Sequence, residues 1–293
     1  MDTTVFYPGS IGEIIQGKFQ NKEVLLSYPV NLFSKVNIFE SKDAKNKYNH
    51  PKSRRFLSNV LTSWDLKEFD KQLDIKIISN IPHEKGFASS TADLCGVYYA
   101  LLKLFNRSFS EEELVKECIK IEPTDSIIFN EFTAFDYKEG LLINNIGKYF
   151  EFHLLVFEGT RKINTVWFNN ENLPMQKSVD DLVMSLKNNY TIETLSNVAT
   201  ESIIRNQHRL SYSILPYVLK VQKSTGGLGV IGAHSGDVLA IVYHDEKSLN
   251  NAINKIKNIQ DYKIYKLKTI DKEQINRYID CDFGGSYETA ALY

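Results

Sequence analysis

Residues 82–92 combine the features from which proteins build a phosphate site. The segment follows a strand-like stretch and opens a helix whose first residues are Ser89, Ser90 and Thr91. The first N–H groups of a helix lack intrahelical partners, and with the positive end of the helix dipole they attract anions. The neighbouring hydroxyls can bind phosphate oxygens or a magnesium ion. The residues assigned to this site are Pro82, Lys85, Gly86, Phe87, Ala88, Ser89, Ser90 and Thr91.

This segment is not the Walker phosphate loop, because the chain contains no G-x-x-x-x-G-K-[ST] pattern. By itself, a glycine followed by two serines and a threonine is also typical of an ordinary helix cap in a protein core. The choice between these readings therefore depends on the other polar segments of the chain.

Two carboxylates, Glu122 and Asp125, lie three residues apart, with Pro123 between them. A predicted helix ends just before them, so both can face one cleft. Phosphoryl transfer needs such a pair, since one carboxylate can hold Mg²⁺ on the phosphates and the other can orient or deprotonate the attacking hydroxyl. The alternative is a turn in which Asp125 bonds to nearby backbone while Glu122 is solvated.

Two glycine-rich segments lie far from the loop in sequence, at residues 8–17 and 226–237. Glycine lets two backbones approach closely, and we expect Gly229 and Gly236 to bring the second segment against the phosphate loop. His234, in that second segment, is expected to orient the loop by hydrogen bonding rather than to act as a base.

The pattern of apolar residues predicts a mixed α+β fold. Alternation at period two indicates strands, spacing of i, i+3, i+4 indicates helices, and Ser110 followed by three glutamates predicts a capping box. In the first half we predict strands at 23–28, 33–39 and 73–79 and helices at 89–104 and 110–121. In the second half we predict strands at 152–158, 229–233, 238–243 and 262–267 and helices at 179–186, 192–206, 212–221 and 247–256.

The second half therefore reads β, helices, β, β, α, β, which is the split β-α-β order of a ferredoxin-like layer. A chain of 293 residues is long enough for two domains. We place their boundary between residues 149 and 150, giving an N-terminal domain at 1–149 and a C-terminal domain at 150–293.

The composition is typical of a globular protein with a small-molecule substrate. The net charge is −1, and no stretch clusters Lys and Arg with aromatics, which argues against a nucleic-acid groove. The cysteines, Cys95, Cys118 and Cys281, are too few and too dispersed for a disulfide framework or a structural zinc site. No apolar run is long enough for a membrane span, and we expect a cytoplasmic location.

Three segments in fixed order resemble the motifs of the GHMP kinase superfamily: residues 8–17, the phosphate loop at 82–92, and the glycine-rich segment at 226–237. The resemblance covers the whole chain. Within the superfamily the chain is most similar to the L-threonine kinases of cobalamin biosynthesis. The points of likeness are residues 12–17, 81–82 with 85–93, 121–126 and 233–236.

The resemblance implies a GHMP kinase fold, with a ribosomal-protein-S5-like N-terminal α/β domain that binds ATP and a ferredoxin-like C-terminal domain. It implies transfer of phosphate from ATP, with Mg²⁺, to the side-chain hydroxyl of L-threonine, forming O-phospho-L-threonine. The metal would be held by Ser90 and Glu122, and Asp125 would face the substrate hydroxyl or ammonium group. The acceptor pocket would include Glu13, Gln16, Asp125, His234 and Ser235.

The sequence departs from the superfamily pattern at two points. Many members carry Lys after the Pro-Gly of the first motif, where this chain has Ser10, so that cation is absent or comes from elsewhere. Phe87 and Ala88 stand where Leu-Gly is usual. Two alternatives remain open: a kinase for another hydroxylated metabolite such as homoserine, and a non-catalytic sensor of ATP or a metabolite.

Overall fold

The computed structural model describes residues 1–41, 49–163, 173–256 and 259–280. The strands are β1 Asp2–Ser10, β2 Ile15–Phe19, β3 Lys22–Leu26, β4 Pro29–Glu40, β5 Leu73–Ser79, β6 Phe132–Asp136, β7 Ile143–Gly147, β8 His153–Gly159, β9 Gly229–Gly232, β10 Val238–Tyr243 and β11 Tyr262–Lys268. The α-helices are α1 Pro51–Ser63, α2 Ser89–Leu104, α3 Glu111–Ile119, α4 Asp180–Asn188, α5 Ile192–Asn206, α6 Leu215–Thr225, α7 Glu246–Ile253 and α8 Lys272–Asp280.

Two antiparallel sheets are built from the first seven strands, in the orders β1-β4-β5 and β2-β3-β6-β7. Helix α2 packs on the first sheet against β1 and β4. Gly96 in the middle of α2 permits this contact, because a Cβ there would lie 2.5 Å from Val36 Cγ2 of β4. The close approach fixes the N-terminal end of α2 relative to β1.

The third sheet has the strand order β11-β8-β10-β9, and each neighbouring pair is antiparallel. Helices α4, α5 and α6 lie between β8 and β9 in the chain, and α7 connects β10 to β11. This arrangement confirms the predicted order of elements and the ferredoxin-like layer. The fold is the α+β fold that the sequence predicts.

Helix α3 begins as predicted, because the Ser110 hydroxyl accepts a hydrogen bond from Glu113 N at 3.3 Å. The reciprocal half of a capping box is missing. The Glu113 carboxylate instead accepts hydrogen bonds from Tyr98 OH and Trp64 Nε1, both at 2.7 Å. The predicted capping box is therefore confirmed for Ser110 and wrong for Glu113. The Glu113 side chain connects α3 to α1 and α2 instead of bonding to the N-cap backbone.

Strand β8 is buried on both faces, as its apolar sequence predicts. Leu154 and Val156 belong to the large core that continues into the N-terminal sheets. Leu155 and Phe157 belong to a second cluster formed with α6 and α7. We propose that residues 149 and 150 mark the boundary between the sheets, since β7 ends before it and β8 begins after it. The larger core runs across that boundary.

None of the described helices is long and apolar enough to cross a lipid bilayer. Cys95 on α2 and Cys118 on α3 are buried free thiols, and Cys281 lies outside the described residues. A buried free cysteine behaves as a small apolar side chain, so these two thiols contribute to packing between the helices.

Candidate active site

The loop before α2 has the backbone shape of an anion cradle. Gly86 has a φ of 90° and Ala88, the residue before the helix, has a φ of 52°. In the described part of the chain, no side-chain hydrogen bond caps the first turn of α2. Its N–H groups therefore stay available for a ligand, and the helix dipole adds partial positive charge. These features fit the phosphates of a nucleotide.

The three glycine-bearing segments meet at this loop. Their contacts include backbone hydrogen bonds from Ser10 N to Phe87 O at 3.0 Å, from Gly12 N to Gly86 O at 2.9 Å, and from Asp237 N to Lys85 O at 2.9 Å. A Cβ on Gly236 would lie 2.3 Å from Lys85 O, so glycine is needed there, as predicted. Gly229 was wrongly predicted to do the same, because it lies against Ser196 O of α5.

An open cleft lies beside the loop. Residues from the first and third segments, the phosphate loop, and the Glu122–Asp125 turn line it. The lining residues are Glu13, Gln16, Leu25, Glu84, Gly86, Phe87, Ala88, Ser89, Ser90, Thr91, Glu122, Pro123, Thr124, Asp125, Tyr137 and Ser235. Segments that are far apart in sequence thus meet around one space.

Glu122 links the first turn of α2 to α1. One carboxylate oxygen accepts a hydrogen bond from the Ser90 hydroxyl, and the other forms an ion pair with Lys52 Nζ of α1. Oxygen donors from a hydroxyl and a carboxylate suit Mg²⁺, which uses few protein ligands and takes others from water and phosphate. Among the described residues no group of three or more His, Cys, Asp or Glu side chains could hold a metal alone. The donor set therefore fits a metal shared with phosphate.

Asp125 lines the same cleft. Its carboxylate accepts hydrogen bonds from the Ser27 hydroxyl at 3.0 Å and from Ile127 N at 3.1 Å. Burial, and next the negative charge of Glu13, raise the pKa of Asp125 to about 7. Both the predicted turn and the predicted cleft position are therefore present. A carboxylate with this pKa can accept a proton near neutral pH.

Glu13 and Gln16 carry acceptor atoms at the floor of the cleft. One Glu13 oxygen accepts a hydrogen bond from His234 N at 2.7 Å, and His234 Nε2 pairs with the Ser202 hydroxyl at 2.9 Å. The Gln16 Oε1 atom is buried and has no hydrogen-bond partner among the described residues. The cleft floor is therefore electronegative, with one amide oxygen still able to accept a hydrogen bond.

Three residues assigned from the sequence do not line the cleft as described. Pro82, the first residue of the loop, is not among the described residues that line the cleft. The Lys85 ammonium points away and donates to Gly159 O at 2.7 Å and Arg161 O at 2.6 Å, so it is neither solvated nor facing phosphate. His234 is fully buried behind Glu13, which fits an orienting role and corrects its assignment to the acceptor pocket.

Sequence reasoning did not identify several residues of the site. Lys52, Ser27, Leu25, Glu84 and Tyr137 either line the cleft or contact its carboxylates. Glu84 was inside the recognised loop and could have been named. Lys52 and Tyr137 reach the cleft only through tertiary packing, and no local pattern marks them.

Comparison with known proteins agrees with this geometry. Residues 55–130 match the family model for the GHMP kinases N terminal domain. An L-threonine kinase of Salmonella typhimurium is 28% identical over 246 residues, which cover 80% of this chain and 81% of that protein.

Solved structures share the fold. The mevalonate kinase of Methanococcus jannaschii superimposes with a TM-score of 0.67 at 14% identity, covering 92% of this chain and 99% of that one. The homoserine kinase of Cytophaga hutchinsonii gives a TM-score of 0.64 at 13% identity, covering 92% and 95%. Residues 55–130 therefore carry a GHMP kinases N terminal domain, and this domain together with the similar sequences indicates an ATP-dependent phosphotransferase that acts on a hydroxyl group.

Proposed function

We propose that the chain phosphorylates the side-chain hydroxyl of L-threonine to give O-phospho-L-threonine, the reaction that supplies the aminopropanol arm of cobalamin. The observation that carries the proposal is the position of Asp125. Its carboxyl, with a pKa of about 7, lies between the phosphate loop and an electronegative pocket floor. The L-threonine kinase of Salmonella typhimurium supports the choice of acceptor.

The residues divide the work along the cleft. The loop N–H groups at Gly86–Ser90 would bind phosphate oxygens, and Ser90 with Glu122 would hold the metal. Bound Mg·ATP supplies the γ-phosphoryl group and neutralises its charge. Asp125 accepts the hydroxyl proton of the acceptor as the new oxygen–phosphorus bond forms and the bond to the ADP oxygen breaks.

The charge of the pocket supports an acceptor that carries an ammonium group. Glu13 and Asp125 both line the cleft and are close enough for their charges to interact. An ammonium donates three hydrogen bonds and relieves the repulsion between the carboxylates. An amino acid fits this pocket better than a neutral polyol or an anionic alcohol. Homoserine, which also carries an ammonium, remains the alternative.

The acceptor is tested by ADP release with Mg·ATP against a panel of hydroxylated molecules. We expect L-threonine to be the best substrate, and L-serine to be about tenfold to a hundredfold poorer because it lacks one methyl group. D-threonine should fail, since its polar groups would leave those of the pocket unpaired. Faster turnover of homoserine or of an alcohol without an ammonium group would overturn the choice of L-threonine.

The role of Asp125 is tested with Asp125→Asn. We expect turnover of L-threonine to fall by about two to four orders of magnitude, while ATP binding measured by titration stays near normal. Asp136→Asn is the matched control. Asp136 is also a buried carboxylate that accepts backbone N–H groups in a turn, from Lys138 and Glu139, but it does not line the cleft. Equal effects of the two substitutions would mean that Asp125 stabilises its turn and is not the base.

A further inference from the structure

The cleft contains an excess of negative charge for a site that must bind a triphosphate. Four of its described lining residues are carboxylic acids, Glu13, Glu84, Glu122 and Asp125, and none is Lys or Arg. The Lys85 ammonium donates hydrogen bonds to the carbonyl oxygens of Gly159 and Arg161. Helix N–H groups carry only partial charge, so a full cation near the phosphates must come from outside this lining.

Among the described residues, Lys52 is a cation in contact with one of these carboxylates, Glu122. It lies in the first turn of α1, and its ammonium pairs with the Glu122 carboxylate, whose other oxygen holds the Ser90 hydroxyl. The Lys52 side chain is 47% exposed, whereas that of Glu122 is 9% exposed. The lysine therefore approaches from the solvent rim, and rotation of its long stem can move the ammonium without disturbing packed residues.

We propose that Lys52 is a phosphate-binding residue of this kinase, which pairs with Glu122 in the ligand-free protein and transfers to nucleotide phosphate oxygens when Glu122 binds the metal. In the ligand-free protein the pair neutralises a nearly buried carboxylate. In the loaded protein the ammonium would face the phosphates beside Ser90. This inference rests on the proposed function only in requiring a nucleoside triphosphate as ligand.

The primary test is binding without acceptor, measured by calorimetric titration of ATP and of AMP in the presence of Mg²⁺. Lys52→Met should weaken ATP binding about tenfold to a hundredfold, the range for losing a hydrogen bond to a charged group. AMP binding should be unchanged, because AMP lacks the β and γ phosphates. Lys52→Arg keeps the charge and should retain most of the ATP affinity.

A second readout exploits the competition for Glu122. Without nucleotide, Lys52→Met should lower the Mg²⁺ concentration that half-saturates the protein, because the carboxylate has lost its competing cation. A purely structural lysine would leave that concentration unchanged or raise it. The variant's far-ultraviolet circular dichroism and melting temperature establish that it is folded.

Lys120→Met is the matched control. Lys120 is also 47% exposed and pairs with a nearly buried glutamate, Glu117, at 2.6 Å, but that pair does not line the cleft. It should bind ATP, AMP and Mg²⁺ like the unmodified protein. Equal ATP affinity in Lys52→Met and the unmodified protein, or equal losses for ATP and AMP, would overturn the inference about Lys52. Failure of the unmodified protein to bind ATP would instead overturn the proposed function.

Discussion

At the scale of single residues, Asp125 owes its expected reactivity to its folded surroundings. An ordinary aspartate is ionised far below neutral pH and is a weak base. Here burial and the charge of Glu13 raise the pKa of Asp125 to about 7, although hydrogen bonds from Ile127 and Ser27 oppose the shift. The raised pKa makes the carboxylate a stronger base at the pH where it is used.

This environment predicts the pH dependence of the reaction. The base form of Asp125 is the deprotonated one, so kcat/KM for the acceptor should fall about tenfold per pH unit below pH ~7. Glu13→Gln removes the negative charge that disfavours ionisation of Asp125. The acidic limb of the profile should therefore move to lower pH, whatever happens to the maximal rate. Initial rates between pH 5 and 9 measure the shift.

Glu84→Gln is the control for the pH profile. Glu84 lines the same cleft, but it is exposed, and its charge is not among those that raise the pKa of Asp125. The acidic limb should keep its position in this variant, because solvent screens an exposed charge. If the acidic limb stays near pH 7 in Glu13→Gln, the charge of Glu13 does not raise the pKa of Asp125.

Sequence reasoning found the Glu122–Asp125 pair and the phosphate loop because each is a local pattern. It could not identify the residues that contact this pair in the folded chain. Glu13 raises the pKa of Asp125 from a segment near the N-terminus, and Lys52 reaches Glu122 from a helix on the other side of the loop. Such contacts arise only when distant segments pack together, so no spacing along the chain records them.

At the scale of elements, the predictions succeeded where periodicity was long and uninterrupted. Helix α2 was predicted at its observed bounds, and the four strands of the third sheet were all identified. The elements not predicted were β1, β2, β6, β7, α1 and α8. Strand β1 was overlooked because its end, Pro8–Ser10, belongs to a glycine motif. Helix α1 does bury Phe56, Leu57, Val60 and Leu61, a helical spacing that a closer reading could have identified.

The contact between the phosphate loop and the segment at residues 226–237 leads to a prediction about Gly86. Its φ of 90° disfavours any side chain, and a Cβ would lie 2.3 Å from Ala233 Cβ. Gly86→Ala should therefore push the phosphate loop away from the third segment and lower turnover by about a hundredfold, as expected when a reacting group is misplaced by about 1 Å. Steady-state kinetics and thermal unfolding of the variant measure the two effects.

Gly226→Ala is the control for Gly86→Ala, because it strains the backbone without displacing a neighbouring segment. Gly226 ends α6 with a φ of 74°, but nothing lies within 4 Å of a Cβ there. Alanine at this position should lower the free energy of unfolding by about 1–2 kcal/mol through backbone strain alone and leave turnover intact. If Gly86→Ala behaves the same way, the contact between loop and third segment has no role in positioning the phosphate site.

At the scale of the whole molecule, two core clusters meet at β8. The strand pairs with β10 and β11, yet its two faces serve different cores. Backbone contacts also cross the boundary, since Glu13 N donates to Gly232 O at 3.3 Å and Ile270 N donates to Pro29 O at 3.1 Å. Glu13 also lines the cleft, so the geometry of the site depends on the packing of the two halves against each other.

We therefore expect the chain to unfold in one cooperative transition, although it contains two sheet systems. Leu154 and Leu155 provide a matched pair for the test: adjacent in β8, both fully buried, with Leu154 in the larger core and Leu155 in the cluster with α6 and α7. Each substitution by alanine should lower the free energy of unfolding by about 2–5 kcal/mol, through lost burial and a residual cavity.

Because both side chains stabilise one cooperative unit, Leu154→Ala and Leu155→Ala should each shift the entire transition to lower temperature. Scanning calorimetry should give a calorimetric enthalpy equal to the van't Hoff enthalpy in the unmodified protein and in both variants. Saturating Mg·ATP should raise the temperature of the single transition in all three proteins. A ligand that binds only the folded state stabilises the whole cooperative unit. Two transitions, one displaced by Leu154→Ala and the other by Leu155→Ala, would mean that the halves fold independently and that the cleft forms only when they dock.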